Sequence, residues 1–103
     1  MALQITNNDG IYEIKGNLNS QNVLSLNNHF ESVLERSKFI TLSLNKLVDI
    51  DSFAVTTIVA LHKKAISANK LFHILGKENP KVNGQFQKQN WSSVLKSSSF
   101  LLY

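Results

Sequence analysis

Apolar residues recur along this chain in two rhythms, and the switches between them mark out its elements. Residues 3–6 and 11–15 are short strand-like runs on either side of Asn7-Asn8-Asp9-Gly10. These four residues tolerate positive φ, so a tight hairpin is predicted at the start of a sheet. Residues 16–20 (Gly-Asn-Leu-Asn-Ser) are expected to break the second strand, with Asn19 or Ser20 capping a helix over residues 21–37. Val23, Leu26, Phe30, Val33 and Leu34 recur there at three- and four-residue steps, which sets one inward stripe. FITLSL, residues 39–44, is rich in residues that suit a buried pleated surface and reads as a central strand.

The stretch from Val48 to Ala65 changes rhythm at its middle. It begins extended and apolar, meets Asp51-Ser52, and continues with Val55, Ile58, Val59, His62, Ala65 and Ile66 at helical spacing. Those six are the expected buried stripe of a second helix, with Asn69 near its stop. LFHIL, residues 71–75, is the next strand. Pro80 is expected to open a third helix reaching about residue 89, with Val82 and Phe86 inward. Trp91, Val94 and Leu95 form a short packing segment, and the closing FLLY is expected to dock on the chain's own sheet or on another chain. Leaving it in water would cost ~25 cal/mol per Å² of apolar surface.

The predicted order is strand, strand, helix, strand, helix, strand, helix. Two right-handed crossovers would set the strands between them in parallel, giving an α/β domain whose mixed, mostly parallel sheet carries helices. A chain of 103 residues fits one such domain, expected over residues 1–95, with a tail over residues 96–103 that could add a docked strand.

Composition narrows the chemistry. Eleven Lys and Arg against seven Asp and Glu give a net charge of +4, but the basic residues are scattered and no dense stripe predicts a nucleic-acid groove. With no cysteine, disulfides, thiolate metal sites and cysteine catalysis are excluded. MALQITNNDG lacks the pattern of a signal peptide, and no apolar run nears the ~20 residues of a membrane span. A cytoplasmic protein without membrane insertion is expected. His29, His62 and His73 fall on three separate elements, which predicts no metal site. No phosphate-cradling glycine loop, nucleophile elbow or zinc motif is present, so neither an enzyme nor a cofactor is expected.

The segment Gly16-Asn17-Leu18-Asn19, followed by FITLSLNKLVDIDSFAVTTIVALHKKAISANKLFHILGKENPKV, resembles the STAS domain family of anti-sigma factor antagonists. The resemblance covers about residues 3–95. It implies a partner-binding switch, which binds a kinase-type anti-sigma factor when unphosphorylated and lets go when that partner phosphorylates it. In the family the key step reads Asp-Ser-Ser-Gly or Asp-Ser-Thr-Gly, and the second hydroxyl takes the phosphate. Here it reads Asp51-Ser52-Phe53-Ala54, so Phe53 stands at the acceptor position. Asn19 and Ser43 likewise stand where the family usually carries acidic residues.

The switch region is therefore Asp51, Ser52 and Phe53. Ser52 is either a displaced acceptor or, with Asp51, a cap for the free amides of the second helix. Asp49 and Asp51 are expected to serve capping and turn solvation. At 100° per residue, Phe53, Thr56, Thr57, Ala60, Lys63 and Lys64 fall on or near the outer face. Phe53 is either a protein-contact anchor or a cover folded back on the loop around residues 47–50. The expected contact set is Phe53, Thr57, Ala60 and Lys64. The partner would be a kinase-type anti-sigma factor or, in the alternative reading, the ATPase subunit of an ABC-type lipid transporter of which this chain is the STAS subunit. A nucleotide-binding module would need the charges missing at Asn19 and Ser43, and self-association through the apolar tail stays open.

Overall fold

The computed structural model describes residues 3–99. β1 (Gln4–Asn8) and β2 (Ile11–Leu18) form the predicted hairpin. Asp9 (φ 54°) and Gly10 (φ 88°) both take the left-handed conformation of a two-residue turn, and the Gly10 amide donates to Asn7 Oδ1 at 3.0 Å. Contrary to expectation, β2 does not break at Gly16. The chain bulges between Gly16 (φ 109°) and Asn17 and stays extended to Leu18. Only glycine takes that conformation without strain, so residue 16 redirects the strand rather than ending it.

The redirected strand has two partners on one side. Its first half pairs in parallel with β3 (Phe39–Ser43), its second half with β4 (Leu47–Ile50). β4 is a strand the hydrophobic pattern did not resolve, because two of its four residues are exposed. β5 (Leu71–Leu75) lies parallel to β3, and the two-residue β6 (Leu95–Lys96) lies parallel to β5, giving the order β1-β2-β3-β5-β6 with β4 beside β2. β6 follows a 3-10 turn at Ser92–Val94 within the expected packing segment.

Three helices complete the described residues. α1 (Val23–Arg36) begins two residues later than expected and buries Val23, Leu26, Phe30, Val33 and Leu34, the predicted stripe. α2 (Ser52–Ser67) ends where Asn69 turns left-handed (φ 59°), and the Lys70 and Asn69 amides close back on the Ala65 and Ile66 carbonyls. α3 (Pro80–Lys88) ends the same way at Asn90.

The buried face of α2 needs a correction. Ala54, Val55, Ile58, Val59, Leu61 and Ala65 are buried, whereas His62 is partly exposed and Ile66 is 56% exposed. α2 packs on α1 as well as on the sheet, which draws Leu61 inward, while Ile66 sits in the last turn at the edge of the packed surface. All three helices share one apolar cluster with Ile14, Ile40, Leu42, Leu44, Phe72, Ile74 and Leu95. The result is a single compact domain with a mixed, mostly parallel sheet. The expected docking of the FLLY residues lies outside the described residues.

Candidate functional site

Parallel pairing of Leu18 with Ile50 brings the ends of β2 and β4 together, so α1 and α2 start side by side. Asp51 joins them. Its amide donates to the Leu18 carbonyl (3.2 Å), Oδ1 accepts from the Ala54 amide (2.9 Å), and Oδ2 accepts from the Ser20 amide (3.1 Å). One carboxylate thus caps α2 and holds the loop that leads to α1. The Asp49 side chain accepts from the Ile50 amide at 2.9 Å, and both aspartates line a shallow cleft with Asn17 and Asn19.

The α1 entry loop is organised by asparagines. Asn22 precedes the helix but caps none of its amides. Its Oδ1 accepts from the Asn19 amide (2.9 Å) and its Nδ2 donates to the Asn17 carbonyl (2.7 Å). Asn19 accepts from the Gln21 amide at 2.9 Å, ahead of the first helical residue rather than inside the helix.

The outer face of α2 is divided lengthwise. On the α3 side, Gln89 Nε2 donates to the Ser52 carbonyl (2.8 Å) and the Thr56 hydroxyl lies 3.0 Å from Gln89 Oε1. Farther along, Lys63 Nζ sits 4.5 Å from the centre of the Trp91 ring, a cation–π contact. Thr56 and Lys63, expected on the free face, therefore touch α3 and the segment after it. Facing α1, Phe53, Thr56, Thr57, Ala60, Leu61 and Lys64 line an open groove of about 310 Å³ whose other wall is Asn27 and Glu31.

Phe53 is 51% exposed and occupies the second position of α2. Ser52 beside it is exposed too. Lys64 Nζ donates to Glu31 Oε1 at 2.8 Å across the groove. That hydrogen bond, helped by the lysine's charge, holds the Glu31 carboxyl below the usual carboxylate range. Leu24, exposed on α1, shares the helical stripe of Asn27 and Glu31. The groove thus combines an exposed aromatic ring, small hydroxyls and an exposed ion pair, a mixture suited to docking a protein surface.

Gln89 carries no local signal, and only the packing of α1 and α3 on α2 brings it, Asn27 and Glu31 to the site. Spacing on α1 could have placed Leu24, Asn27 and Glu31 on one stripe. Among the described residues, no group of three or more His, Asp or Glu could hold a metal ion, and no helix is long and apolar enough to cross a membrane.

Several solved structures share this fold. The anti-sigma factor antagonist SpoIIAA in its unphosphorylated form superposes with a TM-score of 0.74 at 16% identity, covering 94% of this chain and 88% of that one. An anti-sigma factor antagonist from Mycobacterium paratuberculosis gives 0.75 at 12% identity, over 93% and 83%. The phosphorylated form of the Bacillus cell fate determinant SpoIIAA gives 0.68 at 15% identity, over 94% and 91%. Among curated proteins, none matches the sequence. The sequence matches the STAS domain over residues 1–91, and the chain belongs to the STAS domain family.

Proposed function

We propose that this chain is a non-catalytic protein-binding module that acts as an anti-sigma factor antagonist in the cytoplasm. Its partner, an anti-sigma factor of the kinase type, docks along the groove between α1 and α2. The observation that carries this reading is the half-exposed Phe53 ring at the mouth of a groove lined by Thr57, Ala60 and Lys64. An exposed aromatic next to small residues, with a charge pair farther along, is a surface built for burial against a partner. By the resemblance of Asp51-Ser52-Phe53-Ala54 to the family's key step, Phe53 stands at the acceptor position, so the contact persists in the presence of ATP. The non-catalytic part of the reading is supported by Asp51, both of whose carboxylate oxygens are engaged by backbone amides and so are not placed to move protons.

The test uses the kinase-type anti-sigma factors encoded in the same genome. Calorimetry with each, with and without ATP, is expected to find one that binds equally well in both conditions. Phe53→Ala should weaken that binding about tenfold or more, as for a central aromatic anchor. Intact-mass analysis should find no added phosphate. Stoichiometric phosphate on Ser52 with release of the partner would overturn the fixed-contact reading. Binding only to the ATPase subunit of a transporter would overturn the antagonist reading.

A further inference from the structure

Among the described residues, three strands of the sheet have one strand neighbour each: β1, β4 and β6. Two of them are guarded against pairing with another chain. β6 is two residues long and carries Lys96, and β4 is four residues long with its Leu47 carbonyl taken by Asn79 Nδ2 at 2.9 Å. β1 is the exception. Its five residues, Gln4-Ile5-Thr6-Asn7-Asn8, hold no charge, no proline and no bulge, in a chain with eleven Lys and Arg. All but Ile5 are exposed. An unguarded edge of this length is a template for another strand.

The hairpin fixes which groups that edge offers. Its two-residue Asp9-Gly10 turn makes Asn8 and Ile11 a hydrogen-bonded pair, and antiparallel alternation makes Thr6 with Glu13 and Gln4 with Lys15 the next such pairs. The amides and carbonyls of Ile5 and Asn7 therefore point away from the sheet. A second β1 laid antiparallel about a two-fold axis at Thr6 sets Ile5 opposite the copy's Asn7, and Asn7 opposite its Ile5. Both are hydrogen-bonded positions, so four hydrogen bonds satisfy every outward group of the two residues on both strands. This register pairs all five residues of β1, whereas a step of two either way runs into the turn or off the strand.

Side-chain fit points to a copy of this chain rather than an unrelated strand. The central pair is Thr6 with Thr6, at a non-hydrogen-bonded position whose Cα atoms stand ~4.5 Å apart, and the outer pairs are Gln4 with Asn8, so no like charges meet. On the helix side Ile5 packs against the core yet stays partly exposed at the seam. The axis sets the two Ile5 side chains on one face along a diagonal of ~7–8 Å, each shielding the other's open flank. We propose that β1 is a self-association site, where two copies of the chain pair antiparallel about Thr6 into one continuous sheet. The axis stands normal to the sheet, so both helical layers lie on one side and the two α1–α2 grooves open at opposite ends, neither covered. Five residues span ~17 Å and bury less than the ~800 Å² per partner of a stable complex, so the pair forms at high concentration.

Sedimentation of the full chain at rising concentration should show a monomer giving way to a dimer, and a monomer that persists to millimolar concentration overturns the proposal. Amide exchange reads the register. Between dilute and concentrated samples the Ile5 and Asn7 amides should slow at least tenfold more than the Thr6 amide, which is already bonded to β2. Slowing without that alternation, or none, refutes the pairing. The cysteine-free sequence permits an independent measurement by cross-linking. Under mild oxidant Thr6→Cys should form a disulfide dimer at least tenfold faster than Gln4→Cys or Asn8→Cys, whose counterparts across the axis lie ~14 Å away. All three positions are exposed, so the fold tolerates each change. A rate at position 4 or 8 that equals the rate at position 6 refutes the proposed register.

Discussion

Asn79 offers the sharpest test of how this domain is held together. It is almost fully buried and precedes α3, where its Oδ1 accepts from the Lys81 (3.1 Å) and Val82 (3.3 Å) amides. Its Nδ2 reaches the other way, donating to the carbonyls of Leu44 (3.3 Å), Asn45 (3.1 Å) and Leu47 (2.9 Å) in the turn between β3 and β4. Asn79→Ala removes the cap, about 1 kcal/mol. It also removes the donor from buried carbonyls, about 1–2 kcal/mol more. Leu44's carbonyl keeps the Leu47 amide at 3.2 Å, which limits the second loss. The expected total is about 2–3 kcal/mol, a large share of the roughly 5–15 kcal/mol that holds a domain.

Asn79→Asp separates the two roles. Aspartate caps a helix as well as asparagine does, so a view confined to α3 predicts no change. In the fold, however, aspartate sets an acceptor against three carbonyl oxygens where a donor stood, so N79D should cost at least as much as N79A. Urea unfolding followed by circular dichroism at pH 7 measures both, with equal slopes licensing comparison of midpoints. An N79D protein within about 0.5 kcal/mol of the parent, the range of an inert surface change, would refute the reasoning.

Asp51→Ala should cost about 1–2 kcal/mol as a lost cap and speed amide exchange at both Ala54 and Ser20, while Asp51→Asn should protect one of the two. Gly76→Ala should cost about 1–3 kcal/mol in thermal unfolding, because its Cβ would stand 2.8 Å from Val82 Cγ1 and 3.1 Å from Leu95 Cδ2, both in the packed core. His62 and His73 are pushed below their ordinary value chiefly by burial, with His73 and Lys96 adding to the effect on His62. Well above pH ~6.5 both histidines are neutral in both states; as pH falls through it the unfolded chain takes protons first, so stability declines until the folded values are passed. Melting temperature should therefore fall between pH 7 and 5, and H62Q/H73Q should flatten that fall. Glu31 and Glu78 are held low by hydrogen bonds from Lys64 and from the Ser98 amide, so a further loss should follow as pH drops below the ordinary carboxylate range, with or without the histidines.

Local chemistry alone determined much of this protein. The α1 stripe, the Asp9-Gly10 turn, the Asn69 stop and Pro80 at the start of α3 each depend on a few neighbouring residues, so each was legible along the chain, and the parallel pairing of β2, β3 and β5 followed from the crossover helices between them. So was the exposure of Phe53, because helical spacing fixes which residues oppose the buried face. The tertiary structure decided the rest. Gly16 could end a strand or bend it, and only a second partner in β4 makes it bend. Ile66 fits the apolar spacing but falls off the packed surface, while Leu61 is drawn inward by α1. The outer face of α2 reads as one surface until Gln89 and Trp91 cover one flank and Asn27 and Glu31 wall the other. The reason is physical. Periodicity reports which way a side chain points, whereas what it meets is set by residues some thirty positions away that only folding brings near.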